Sequence, residues 1–178
     1  MGLGLVLVAS LIIWGVFALV VYAKEKRSWW FSFTTTAASL KELRDRSPEL
    51  FHPGNDWWFS QPFAKEHGQA GQKIQILTSG VPGSFIRDFA EQQEFLSEGE
   101  FVPTVRDVVD GMLAYYRNTG KRISSGYWVH CKDVSSDGNR IYLWVDSDGL
   151  HIHDRWEARH HSFGPGWAVA RKSFILSS

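Results

Sequence analysis

The chain predicts an α+β fold behind a membrane anchor, and three observations carry that prediction. Residues 2–23 are apolar and uncharged. Residues 104–120 repeat their apolar positions at helical spacing, and a shorter segment after Ser84 does the same. Beyond Gly120 the period falls to two, in short runs separated by Asp-Gly turns. Helices followed by a run of strands, without strict alternation, is the pattern of an α+β domain.

The anchor comes first. Gly2–Ala23 reads GLGLVLVASLIIWGVFALVVYA and carries no charge. About 20 apolar residues cross a bilayer core as a helix. A cleaved signal peptide would have a basic segment before a shorter apolar run, and no lysine or arginine precedes this one. A buried helix of a soluble protein would show a polar face. The expectation is a single-pass transmembrane helix over residues 1–23, in contact with membrane lipid through residues 2–23. Lys24, Lys26 and Arg27 follow it directly. The positive-inside rule then favours a cytoplasmic position for the rest of the chain, and Trp29 and Trp30 fit an interfacial belt.

Residues 24–70 read as a juxtamembrane segment. Ser39 and Glu42 have capping-box spacing at the start of a short helix that Pro48 ends. HPGNDWWFSQPF, residues 52–63, reads as loop, its aromatics lying on the surface of the domain or of the membrane. The folded domain is then expected over 71–178. QKIQILT alternates polar and apolar residues as a strand does. Ser84 can cap a helix carrying Ile86, Phe89, Ala90 and Gln93. In PTVRDVVDGMLAYYRNTG, Thr104 is the N-cap and Asp107 stands three residues later. Val105, Val108, Val109, Met112, Leu113 and Tyr116 form one apolar stripe, and Gly120 is placed to cap the C-terminus. Gly111 costs about 1 kcal/mol against alanine inside a helix, so its missing side chain is expected to serve close packing. GYWVHCKD, NRIYLWVD, GLHIHDRW and GWAVARK follow as four strands. Asp137–Gly138 and Asp148–Gly149 favour the positive-φ turns of an antiparallel meander.

Composition narrows the function classes. Lysine plus arginine balances aspartate plus glutamate, 19 against 19, so the clustered basic face of a nucleic-acid binder is not expected. The single Cys131 forms no intramolecular disulfide. It is adjacent to His130 on a strand, so the two side chains point to opposite faces and do not pair as a nucleophile and base. A free cysteine is commonly buried as a small hydrophobe. His151 and His153 share a strand face, and with His160, His161 or Asp154 they have a geometry zinc can use. Alternation of histidine with leucine and isoleucine is equally the signature of a solvated strand face, which is the reading taken. Asp133, Asp137 and Asn139, or Asp146 and Asp148, offer hard oxygens, but the bidentate glutamate of a calcium loop is missing and turn chemistry accounts for them. No metal or cofactor is expected. The connection HDRWEARHHSFGPGW is the candidate ligand-binding surface, through Asp154, Arg155, Trp156, Glu157, Arg159, His160 and His161. Loops on rigid scaffolds carry recognition, and arginine and tryptophan are enriched at binding hot spots.

The order of these motifs resembles the bacterial C-type-lectin-like domains of the Lcl C-terminal type. The matching residues are Pro103 and Thr104 opening the helix, Tyr127 and Trp128 on the next strand, Trp144 and Gly149, and Val169 with Arg171 on the closing strand. The resemblance spans roughly residues 100–172. Two departures stand out. Val129, His130 and Cys131 occupy positions where the family has small hydroxyl residues. One branch of the wider fold oxidises protein cysteines through paired cysteines, and this chain has one. The resemblance implies two helices and a small antiparallel sheet presenting a polar surface, with a sugar or a protein as ligand and no catalysis. The rival expectations are a metal-dependent enzyme built on His151, His153 and His160 or His161, and a structural envelope protein.

Overall fold

A computed structural model describes residues 30–78, 89–123 and 129–154, and the backbone of 166–167 and 170–172. The expected span at residues 2–23 and the tyrosine-tryptophan pair at 127–128 lie outside the described residues. Among the described residues no helix is long and apolar enough to cross a membrane. From Phe31 onward the chain forms one compact unit.

Strand β1 (Trp30–Thr34) leads to helix α1 (Leu40–Arg46). The capping box at its start is complete: Ser39 Oγ accepts from the Glu42 N–H, and Glu42 Oε2 accepts from the Ser39 N–H at 2.7 Å. Short 3-10 turns at Pro48–Leu50 and Trp57–Ser60 precede α2 (Pro62–Lys65). Strand β2 (Lys73–Leu77), helix α3 (Phe89–Gln93) and strand β3 (Glu100–Phe101) follow. Helix α4 (Val105–Thr119) is the longest described. Thr104 Oγ1 accepts from the Asp107 N–H at 3.1 Å. Gly120, at φ 68°, closes the helix in the left-handed conformation that glycine adopts without a steric penalty. Strands β4 (Val129–Val134), β5 (Arg140–Val145) and β6 (Leu150–His153) are joined by the two Asp-Gly turns.

The fold is α+β, with two four-stranded sheets ordered β1-β2-β8-β3 and β6-β5-β4-β7, where β7 is Gly166–Trp167 and β8 is Ala170–Lys172. The meander of β4, β5 and β6 is antiparallel, as its turns predict. The expected fourth strand of that meander is different. Its first part, β7 (Gly166–Trp167), lies parallel to β4. Its second part, β8 (Ala170–Lys172), enters the other sheet between β2 and β3, antiparallel to both. A period of two assigns residues to faces and leaves the neighbouring strand unspecified.

Residues 31–70 also differ from the juxtamembrane reading. Leu40, Leu43, Trp58, Phe63 and Ala64 belong to the larger hydrophobic core, and Trp58 is fully buried. What draws this segment in is far away in sequence. Asn55 Oδ1 accepts from the Ile152 N–H at 2.9 Å, and Trp57 Nε1 donates to the Ile152 carbonyl at 2.6 Å.

Helix α4 serves both cores. Val105, Val108, Val109 and Leu113 face the larger one, while Met112, Ala114 and Tyr115 pack against Phe33, Ile74 and Ile76 of the smaller. Gly111 sits at that second contact. A Cβ there would stand 2.6 Å from Ile76 Cδ1 and 2.8 Å from Phe33 Cε1, so the absent side chain sets the helix-to-sheet distance. Arg106 and Asp110 are buried on the same helix. Arg106 Nε donates to the Ala38 carbonyl at 2.8 Å, and its other nitrogens reach Asp107 Oδ1, Asp110 Oδ2 and the Thr36 carbonyl. Asp110 Oδ2 accepts from the Thr36 N–H at 2.7 Å. Every charge in this group has a partner, which is the condition for burying it.

Candidate functional site

The meander has two faces, and register decides what each carries. Val129↔Leu143, Leu143↔Ile152 and Val145↔Leu150 pair on the face that packs into the core. His130↔Tyr142, Tyr142↔His153 and Trp144↔His151 pair on the other face. That second face is a field of rings. Along one row, Tyr142 stacks on His153 at 5.6 Å and meets His130 edge-on at 6.4 Å. Along the next, His151 lies between Trp144 at 5.1 Å and His52 at 4.1 Å. His151 and His153 stack along the strand at 5.8 Å.

The turn before β6 aligns this arrangement. Asp146 Oδ1 accepts from the Asp148 N–H at 2.8 Å and the Gly149 N–H at 3.1 Å. Gly149 has φ 136°, and a Cβ on it would lie 2.6 Å from the His52 nitrogen. Only glycine lets the 51–57 segment come this close. The second Asp146 oxygen stands 3.2 Å from His151 Nε2, an ion-pair distance without hydrogen-bond alignment. Desolvation pushes the Asp146 carboxyl up, but the Asp148 amide, His151 and the Gly149 amide together hold it below the ordinary carboxylate value. Burial, then the neighbouring His151, lowers His153, with Asp154 opposing and His52 adding to the decrease.

Helix α3 covers the far end. His130 Nδ1 is 2.8 Å from Gln92 Oε1, and Phe89 meets the His130 ring at 5.9 Å. Arg140 lies over Phe89 at 3.9 Å. Burial, with Arg140 adding to it, lowers the His130 pKa to about 4, so the ring is neutral at physiological pH.

These positions revise the sequence expectations. The His151 and His153 face is not a solvated one: the His151 side chain is 12% exposed, because rings cover rings. Asp154 is half-buried at the end of β6. Arg155, Trp156, Glu157, Arg159, His160 and His161 lie outside the described residues. Among the described residues, no group of three or more histidine, cysteine or acidic side chains could hold a metal ion. The acidic residues weighed for calcium have other work: Asp146 caps its turn, and Asp133 Oδ2 accepts from the Val105 N–H at 2.6 Å. Cys131 faces the core, fully buried, and burial pushes its thiol well above the usual range. Sequence reasoning missed His52 and Trp144 as neighbours of His151. The spacing of histidines along β6 was visible, but no local signal brings His52 to it.

On the core side of the same sheet lies an apolar cleft between α4 and the β5–β6 turn. Leu50, Phe51, Leu113, Tyr116 and Val145 line it, and Arg122 stands at its rim. Arg122 donates to the carbonyls of Glu49 at 2.9 Å and Ser147 at 3.0 Å. In comparison with known proteins, the chain matches no family model, no curated protein and no solved structure.

Proposed function

We propose that this chain is a membrane-anchored binding protein without catalytic activity. Its folded part is read as a C-type-lectin-like domain of the Lcl C-terminal type, its anchor as residues 2–23, and its ligand as a carbohydrate or a protein held by residues 154–161. The observation that carries this reading is the ring face and where it leads. His151 and His153 stand in a stack on β6, and Asp154 follows them directly into the 154–161 connection. Asp154, half-buried at the end of β6, carries a carboxylate from this face into the connection, and a carboxylate suits hydroxyl and amide partners. The helix opened by Thr104 and the meander carrying Trp144 and Gly149 support the resemblance. A buried Cys131 thiol and a neutral, covered His130 give no activated nucleophile.

The test uses the full chain in lipid nanodiscs on an array of neutral, amino and sulfated glycans. Binding that falls at least about tenfold in Arg155→Ala/Arg159→Ala supports the assignment. Binding unchanged in that variant overturns the assigned residues. Stoichiometric zinc in the purified protein, lost in His151→Ala/His153→Ala, overturns the non-catalytic reading. Flanking charges favour a cytoplasmic domain, and labelling of Ser178→Cys by a membrane-impermeant thiol reagent in intact cells, compared with lysed cells, reports the side. Wild type is the control, since Cys131 is fully buried.

A further inference from the structure

The apolar cleft between α4 and the β5–β6 turn has walls and a mouth of opposite character. Leu50, Phe51, Leu113, Val145 and Leu150 are walls without a polar side-chain atom, and Tyr116 stands half-buried among them. The space between them, with its open mouth, is about 340 Å³, at the lower end of the range that small-molecule sites occupy.

Arg122 forms the mouth. It is exposed, and it ties the two walls together through the Glu49 carbonyl at 2.9 Å and the Ser147 carbonyl at 3.0 Å. A guanidinium has five N–H donors, so these two bonds leave others unspent. Among the described residues no carboxylate forms an ion pair with Arg122, although Glu49 and Asp148 adjoin the carbonyls it holds. Arg117 reaches the Ser47 hydroxyl on the same segment at 3.3 Å and is likewise without an ion pair among the described residues. Two cations therefore stand beside apolar walls with no anion to neutralise them.

The occupant that answers both features has an apolar chain and one anionic head. A peptide does not, because it brings an N–H and a C=O at every residue, and Arg122 already takes the two carbonyls at the mouth. A sugar would leave hydroxyls against apolar walls. An alkyl chain asks the walls for no hydrogen bond, and a carboxylate accepts from a guanidinium through charge-assisted bonds. We propose that the cleft binds a free straight-chain fatty acid, with its chain along Leu113, Val145 and Leu150 and its carboxylate on Arg122. The site uses none of residues 154–161 and does not depend on the ligand proposed for them.

Methyl NMR on the full chain in uncharged detergent micelles tests it, with decanoate as the probe and decanol as its neutral counterpart. In wild type, decanoate is expected to shift the Leu113, Val145 and Leu150 methyls saturably. Arg122→Gln removes the charge and keeps a side-chain donor. It is expected to raise the decanoate concentration at half-saturation at least about fivefold, and to leave the weaker response to decanol within about twofold. Micelle content is the same for both proteins, so partitioning of each probe cancels in these ratios. Wild-type methyls that do not shift overturn the proposal. So does decanoate binding that is unchanged in Arg122→Gln, and so does an equal loss for decanol, which would make Arg122 only a clamp between the walls. Should Arg122→Gln fail to fold, nuclear Overhauser contacts between the wild-type protein and decanoate decide. The terminal methyl against Val145 and Leu150, with the head-end methylene against Arg122, supports the site. The reverse orientation, or no contact, overturns it.

Discussion

His130 is a strand histidine on the ring face, and its surroundings decide its charge. His130 is covered by Phe89 and held by Gln92, and its pKa drops to about 4 from an ordinary 6.5. The unfolded chain therefore binds a proton in that window while the folded chain does not. Stability contributed by this site is complete above about 6.5 and declines as pH falls toward about 4. The full decline is on the order of 3 kcal/mol. Urea denaturation at pH 7 and pH 4.5 should show it, and His130→Gln, which keeps a polar partner for Gln92 without a titrating ring, should lose that part of the slope. Burial of this kind was hidden in the sequence. The same holds for Arg106 and Asp110, whose i, i+4 spacing reads as an exposed ion pair on a helix. Only the arrival of Thr36 and Ala38 makes it an interior one.

At the scale of elements, helix α4 was the most legible part of the chain. Its N-cap, its apolar stripe and its C-terminal glycine are local signals, and all three are realised. The meander was legible for the same reason, since two-residue periodicity and Asp-Gly turns are written in consecutive residues. The 52–63 stretch was not, because prolines, a glycine and aromatics describe a loop equally well whether it lies on a surface or in a core. Gly111 stands between these cases. Its cost to the helix was readable, and its partners Ile76 and Phe33 came only with the fold. Gly111→Val is expected to destabilise the protein by about 1–3 kcal/mol through overpacking, measured by chemical denaturation. A variant as stable as wild type would mean that α4 shifts freely on the first sheet.

Across the whole folded unit, β8 joins what the sequence keeps apart. Ala170 pairs with Ile76 on one side and Phe101 on the other, so the first sheet depends on it in both directions. Proline is tolerated at sheet edges and excluded from such central positions. Ala170→Pro should remove a large fraction of a stability that is typically ~5–15 kcal/mol, seen as loss of the cooperative urea transition followed by tryptophan fluorescence. An intact transition would show that β2 and β3 stand without β8. The candidate site was half legible at this scale. The shared face of His151 and His153 follows from their spacing and Trp144 joins it across the β5–β6 hairpin, whereas His52 meets them only through the closure of the whole unit.

The central place of β8 also sets an order of events in synthesis. Strands β2 and β3 are made well before Ala170–Lys172. Until those residues leave the ribosome, β2 and β3 present unpaired edges of the kind that recruits other strands. The meander strands β4, β5 and β6 can pair earlier, being neighbours in sequence. A nascent chain stalled before residue 170 would therefore hold one sheet formed and the other waiting, and a factor that shields strand edges is what such a chain would need most.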